Sequence, residues 1–256
     1  MVSTAATMRM ATATPMATCM HTEYAHMPAS VPGVEPLAQL RLLQLVSPAL
    51  PTGGFTYSQG LEYAVEAGWV HDVASLQDWL AGLIEDAIVY LEIPVLARLY
   101  HACATQDTAT LDQWGRYLLA TRETFELRLE EQQRARALTR LLIDLGISNT
   151  QKLQTVMEQC QAAPYALAAS SWGIPLHEAA LGYAWNWLEN MVIAAVKLIP
   201  LGQTDGQRVQ LLLAETLAGA VQHGLAVPDD DIGASAPAMA LASSLHETQY
   251  TRLFRS

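Results

Sequence analysis

The sequence predicts an all-α fold: a single-domain multi-helix bundle of about ten helices, with a disordered N-terminal arm and a short C-terminal tail. Three observations carry this. From Leu37 onward apolar residues recur at i, i+3, i+4 and i+7, the spacing of one helix face. The period-2 alternation bounded by turn residues that marks strands is missing. The chain has 256 residues, 51% of them apolar, and a chain this long buries roughly 70% of its extended surface on folding, enough for one sizeable core.

Residues 1–36 stand apart. Thr, Ala, Met and Pro dominate, six of the nine methionines fall in the first 27 positions, and no apolar period is present. This reads as a flexible arm. With Arg9 as its one basic residue and no contiguous apolar core, it is a poor secretory signal. Cys19, Met20, His21, His26 and Met27 are soft or borderline metal ligands, but a floppy segment lacks the geometry that gives affinity.

The helices follow in order. A first is predicted over 37–46. Residues 47–54 then combine Pro48 and Pro51, which fix φ, with Gly53 and Gly54, which are free to take positive φ, so this is a shaped loop. A helix over 58–67 precedes a longer one over 75–93, where Leu76, Trp79, Leu80, Leu83, Ile84, Ala87, Ile88 and Leu91 form one stripe and Ser75 with Asp78 is placed like a capping box. Shorter helices read at 94–104, 109–120, 122–144, 150–160 and 164–172. A second long helix runs from Pro175 to Pro200; it is apolar around much of its girth, as a central buried helix would be. Helices over 204–222 and 237–247 complete the set, separated by a solvent-exposed linker, residues 228–237, that carries Asp229, Asp230 and Asp231. The domain spans 37–248, and 249–256 is too short to be a core helix.

Composition excludes several functions. There are 14 basic residues against 25 acidic ones, a net charge of −11, and only two lysines, Lys152 and Lys197; nucleic-acid binding rests on clustered positive charge and is excluded. No stretch has the 18 or so consecutive apolar residues of a membrane span. Cys19, Cys103 and Cys160 are odd in number and widely spaced, suggesting neither a disulfide framework nor a zinc site, and hence a reducing, cytoplasmic setting. Phosphate-loop, dinucleotide, H-E-x-x-H and nucleophile-elbow motifs are all missing. His71, His101, His177, His223 and His246 never fall four apart on one helix, so each reads as a surface or hydrogen-bonded residue.

One charge pattern stands out. Between Arg122 and Arg140 lie five of the twelve arginines and Glu123, Glu126, Glu130 and Glu131, with Glu130 and Arg134 a favourable i, i+4 pair. The segment reads as a solvated, ion-paired helix or, alternatively, as a docking face, since Arg is enriched at interfaces.

Three segments carry a family resemblance: Ser47-Pro-Ala-Leu-Pro-Thr-Gly-Gly-Phe-Thr-Tyr-Ser-Gln-Gly-Leu-Glu62, then Trp185-Asn-Trp-Leu-Glu-Asn-Met-Val-Ile-Ala-Ala-Val-Lys-Leu-Ile-Pro-Leu-Gly-Gln-Thr-Asp-Gly-Gln207, and the ending His246-Glu-Thr-Gln-Tyr-Thr-Arg-Leu-Phe-Arg-Ser256. In order and spacing they resemble the UreF family, the F-type urease accessory proteins, over residues 37–256. The resemblance implies an all-α homodimer in the cytoplasm without catalytic activity of its own. It implies a scaffold that joins the D-type (also called H-type) urease accessory protein to the G-type GTPase and serves nickel delivery to the urease apoprotein. Nickel and GTP are then handled by the partners, and the chain has no cofactor. The resemblance places the docking of the D-type partner on the tail, at Tyr250, Arg252, Leu253, Phe254, Arg255 and Ser256, ordering as it binds. It places Gly53, Gly54, Phe55, Tyr57, Ser58, Gln59, Gly60 and Glu62 near a partner or dimer surface. Family members vary between Phe and Tyr at the position of Phe55, which argues against a role there for a phenol hydroxyl. The competing readings are a direct nickel-binding chaperone, through the arm or the histidines, and an all-α enzyme built on Glu62, His71, Tyr57 or His177.

Overall fold

The computed structural model describes residues 35–255; the readings made for residues 1–34, their metal-ligand types included, and for Ser256 fall outside the described residues. Within them the elements are α1 (Pro36–Leu45), α2 (Leu61–Glu66), α3 (Val73–Leu83), a π-helical stretch (Ile84–Glu92), α4 (Ile93–Thr105), α5 (Thr108–Ala120), α6 (Phe125–Asp144), α7 (Thr150–Met157), α8 (Ala162–Ser171), α9 (Leu176–Leu198), α10 (Gln203–Ala226) and α11 (Pro237–His246), with no strand among them. The predicted fold class is the observed one.

The core forms around α9, α4 and α8. Helix α9 buries Ala180, Tyr183, Ala184, Leu188, Met191 and Ala195 along its length. Gly182 lets α1 lie close to it, because a Cβ there would stand 2.6 Å from Leu42 Cδ1. Helix α8 is buried on all sides through small residues, Ala162, Ala163, Ala166, Ala168 and Ala169, which lets α4 approach with Leu96 and Leu99, both fully buried.

The two helices predicted at 75–93 and 94–104 are one rod. Pro94 brings no N–H and its ring crowds the carbonyl four residues back, which would break a regular helix. Here the backbone widens, the Ile93 N–H reaching the carbonyl of Ile88 five residues earlier, and the freed Tyr90 carbonyl accepts from the Gly233 N–H at 2.9 Å. Helix α10 packs on this stretch; a Cβ on Gly224 would meet Ile93 Cβ at 2.8 Å and the Val89 carbonyl oxygen at 2.9 Å.

Other readings shift. The capping box lies one turn earlier, with Asp72 accepting from the Ser75 N–H at 2.9 Å and Ser75 Oγ accepting from the Asp72 N–H at 3.1 Å. Helix α2 starts at Leu61 rather than 58, because Gln59 (φ 52°) and Gly60 (φ 81°) are left-handed. The acidic linker is exposed at Asp229, Asp230 and Asp231 but pinned at both ends: Arg98 pairs with Asp229 at 2.6 Å, and the Tyr117 hydroxyl donates to the Ile232 carbonyl at 2.7 Å.

The charged helix α6 is solvated on one face only, its other face turning charge inward. Glu126, Glu130, Glu131 and Arg134 are buried, while Arg128, Arg136 and Arg140, three of its four arginines, are exposed. The sequence distance between its partners hides this, since the groups that neutralise the inward charges come from other elements.

Candidate functional site

The two segments singled out by the resemblance, residues 53–62 and the tail, meet in space through one carboxylate. Glu62 stands in the first turn of α2 and is almost fully buried. Its Oε1 accepts from the Leu253 N–H at 2.6 Å and its Oε2 from the Phe254 N–H at 2.8 Å. The Arg255 N–H donates to the Thr56 carbonyl at 2.9 Å, so three successive tail amides are tied to the loop and α2.

His246, the last residue of α11, holds that carboxylate from behind. The ring is fully buried, with Nε2 3.1 Å from Glu62 Oε2 and Nδ1 2.7 Å from Glu126 Oε2. An ionised carboxylate only accepts, so wherever both glutamates are charged both ring nitrogens donate, as those of an imidazolium do. Arg252 of the tail closes the set, its NH1 2.6 Å from Glu126 Oε1. In that state two negative and two positive groups balance.

The local chain geometry permits this approach. Gly60 has φ 81°, and a Cβ on it would stand 2.7 Å from the Ser243 backbone nitrogen, so α2 and α11 close on each other at this point. The Thr124 and Ser243 hydroxyls, 2.8 Å apart, join the start of α6 to α11.

The tail divides by exposure. Phe254 is buried, its ring 5.6 Å from Lys197 Nζ, and the same ammonium lies 6.0 Å from the exposed Phe55 ring. Tyr250, Arg252, Leu253 and Arg255 are exposed, as is Phe125 at the start of α6. Between the tail and α6 lies a cleft of about 590 Å³ lined by Tyr57, Phe125, Leu129, Gln133, Arg252 and Arg255 among others. The Tyr57 hydroxyl donates to Gln133 Oε1 at 2.6 Å, and burial, with the charge of Glu130 adding to it, raises its pKa.

Behind the loop is a second ionic cluster. Gln59 accepts from Trp187 Nε1 at 3.0 Å and donates to Glu130 Oε1 at 3.1 Å, and Arg134 NH1 donates to the same oxygen at 3.0 Å. Arg122, just before α6, pairs with Glu92 at 2.6 Å and Glu131 at 2.8 Å. Tyr183 donates to Glu92 Oε2 at 3.2 Å, and Glu131 Oε1 accepts the Gln161 N–H at 2.7 Å. Burial raises the Glu92 carboxyl above its ordinary range, with Arg122 opposing it. Burial by itself would lower the Arg122 pKa, but the charges of Glu92 and Glu131 raise it well above normal. A cavity of about 30 Å³ among these groups has room for a water molecule. Gly54, Ser58 and Gly60 are buried beside this interior, and Gly53 (φ 72°) is half-buried.

The residues of the enzyme reading do not assemble. Glu62 is engaged with His246 and the tail, Tyr57 with Gln133, His71 is exposed, and His177 lies beside Glu178 on the outer side of α9. Burial pushes the Cys103 thiol up to about 12 and raises Cys160 as well, which makes both unreactive. Among the described residues no group of three His, Cys, Asp or Glu side chains is placed to share a metal ion, and no helix is long and apolar enough to cross a membrane. Sequence reasoning missed His246, Glu126, Gln133 and Lys197. The one signal for them was the ending that begins at His246.

A family model described as UreF matches residues 70–214. The urease accessory protein UreF of Alcanivorax borkumensis is 55% identical over 225 residues, covering 86% of this chain and 98% of the relative. That of Pseudomonas putida is 53% identical over 220 residues, covering 86% and 98%. The protein of the same name from Alkalilimnicola ehrlichii is 50% identical over 222 residues, covering 86% and 96%.

Proposed function

The chain belongs to the UreF family of urease accessory proteins, and from that premise we propose that it is a scaffold without catalysis of its own. It joins the D/H-type accessory protein to the G-type GTPase during urease maturation, as a cytoplasmic homodimer, with nickel passing as cargo to the urease apoprotein. The observation that carries this reading is the composite surface formed where the tail folds onto the 53–62 loop. Phe55, Tyr250, Leu253 and Phe125 are exposed there beside Arg252, Arg255 and Lys197. Aromatic and arginine side chains on one face are the residue types that dominate binding hot spots.

The interior chemistry supports the non-catalytic part. The fully buried His246 has both ring nitrogens committed to carboxylates, so no nitrogen is left to exchange a proton with a substrate. The carboxylates Glu92 and Glu131 share Arg122 as their ion-pair partner and are buried.

The test is capture of the D- and G-type accessory proteins by the full chain, with and without nickel and GTP. The chain retains both partners, and the variant lacking residues 250–256 keeps its helical circular dichroism but loses the D-type partner. Unchanged capture by that variant would refute the assignment of the tail. The purified chain alone consumes neither GTP nor urea; turnover of either above a blank favours an enzyme, and stoichiometric nickel binding by the chain alone favours a direct nickel chaperone.

A further inference from the structure

We propose that His246 is the positioning residue of the tail, and that the tail is divided into an inward half that latches it to the body and an outward half that meets the partner. The latch is Glu62, Glu126, His246, Arg252 and Phe254; the presenting residues are Tyr250, Leu253 and Arg255. This presenting half rests on the docking reading above, whereas the latching half rests on the geometry of the chain by itself.

The geometry comes from four elements. Glu62 belongs to α2, Glu126 to the first turn of α6, His246 to the end of α11 and Arg252 to the tail. Glu62 uses both oxygens on consecutive tail amides, and Glu126 uses one on Arg252. Neither carboxylate could hold this pose without a counter-charge between them, because two buried like charges repel and are costly to desolvate. The imidazolium supplies the counter-charge and fixes both rotamers. A charge-assisted network of this kind pre-organises what it holds. A neutral side chain in its place would leave one negative charge uncompensated, and the least costly relief is for the tail to leave, admitting water to Glu62 and Glu126.

The placement of side chains along the tail separates the two halves. Arg252 reaches inward to Glu126 and Phe254 packs under Lys197 and against the core, while Leu253 and Arg255 between and after them point outward. Tyr250 is entirely exposed. A tail already ordered in the free chain spares the partner the cost of ordering it. Order that waits for binding, as expected from the sequence, would be the costlier arrangement.

The experiment is amide hydrogen exchange of the tail in the full chain, read against the helices. His246→Gln speeds exchange at Leu253, Phe254 and Arg255 by about tenfold or more, the change expected from losing one hydrogen bond to a charged group, while exchange in α4, α8 and α9 is unmoved. Adding Glu126→Gln to His246→Gln restores charge balance and slows tail exchange again, a rescue that a role in filling space would not produce. Arg252→Ala, at a partly exposed side chain, opens the tail without risk to the fold. Tyr250→Ala with Leu253→Ala leaves tail exchange at the native rate but loses the D-type accessory protein in capture. Native tail exchange in His246→Gln and Arg252→Ala, or no rescue by Glu126→Gln, overturns the latch. Undiminished capture by the Tyr250/Leu253 variant overturns the division. Failure of the native chain to capture the D-type protein removes the docking reading and leaves the exchange result standing.

Discussion

Gly60 offers a sharp test of how the loop, α2 and α11 are held together, because it is strained twice for any other residue. Its φ is 81°, and an added Cβ would lie 2.7 Å from the Ser243 backbone nitrogen, 3.1 Å from Ala242 Cβ and 3.2 Å from the Ala242 carbonyl carbon. Two of these three atoms are backbone, so no side chain can swing aside. Gly53 is the natural control: its φ is 72°, but nothing lies within 4 Å of the added atom. The left-handed conformation costs a non-glycine residue roughly 1–2 kcal/mol, and overpacking a tight contact costs about 1–3 kcal/mol more. Gly53→Ala therefore loses only the first amount and Gly60→Ala loses both, about 2–5 kcal/mol. With a urea m value of about 2–3 kcal/mol per molar, the unfolding midpoint falls by about 1–2 M for Gly60→Ala and by roughly 0.5 M for Gly53→Ala. Urea titrations followed by circular dichroism measure both. Equal midpoints for the two variants would refute the reasoning, since the difference rests entirely on the contact with α11.

Arg122→Ala leaves Glu92 and Glu131 buried without their cation and costs about 3–5 kcal/mol in urea unfolding. The Glu92 carboxyl is already raised by burial, so its folded form binds more protons than its unfolded form and stability falls as pH rises through that window; the deficit of the variant is smaller in mild acid than at neutral pH, and a deficit independent of pH would refute this. Asp72 behaves oppositely, its pKa lowered chiefly by the hydrogen bond from the Ser75 side chain. Its contribution is present above the ordinary carboxylate range and lost as pH falls through the lowered value, so Asp72→Ala lowers the melting temperature at neutral pH and the difference closes in acid. Leu211 and Leu212 are exposed on α10; if they form the contact of the homodimer proposed above, changing both to Glu keeps the circular dichroism signal and halves the mass by light scattering, an unchanged mass counting against this face as the dimer contact.

The helices were legible because each carries its own apolar period, and the bounds of α5, α9 and α11 lie within two residues of those read from the sequence. What escaped depends on groups far apart in the chain. The fusion of α3 to α4 across Pro94 needs Gly233 to take up the Tyr90 carbonyl. The inward turn of α6 needs Glu92, Gln161 and Tyr183, which arrive from the π-helical stretch, the start of α8 and α9. The capping box was misplaced by one turn because Ser75 serves equally well as the first or the last residue of such a box, and only the start of the apolar stripe distinguishes them. Both site segments were found through the resemblance, yet the bond between them was not. Glu62 and Phe254 are 192 positions apart, and His246 read on its own pairs only with its neighbour Glu247.

The low charge content takes on a different meaning once the side chains are placed. A chain with 15% charged residues would be expected to keep them on its surface, but Glu62, Glu92, Glu126, Glu130, Glu131 and Arg134 are buried. Buried ion pairs add little stability over apolar packing, and their benefit is in fixing geometry. Here both buried clusters back onto the same ten-residue loop. Gln59 ties it to Glu130 and Trp187 on one side, and Glu62 ties it to the tail on the other. An apolar core tolerates sliding and repacking, whereas a carboxylate that accepts two consecutive amides admits a single register of the tail against the loop. The scaffold proposed above would need the parts of its surface held in one arrangement, and these internal charges supply that constraint beneath a face of exposed aromatic, aliphatic and basic side chains.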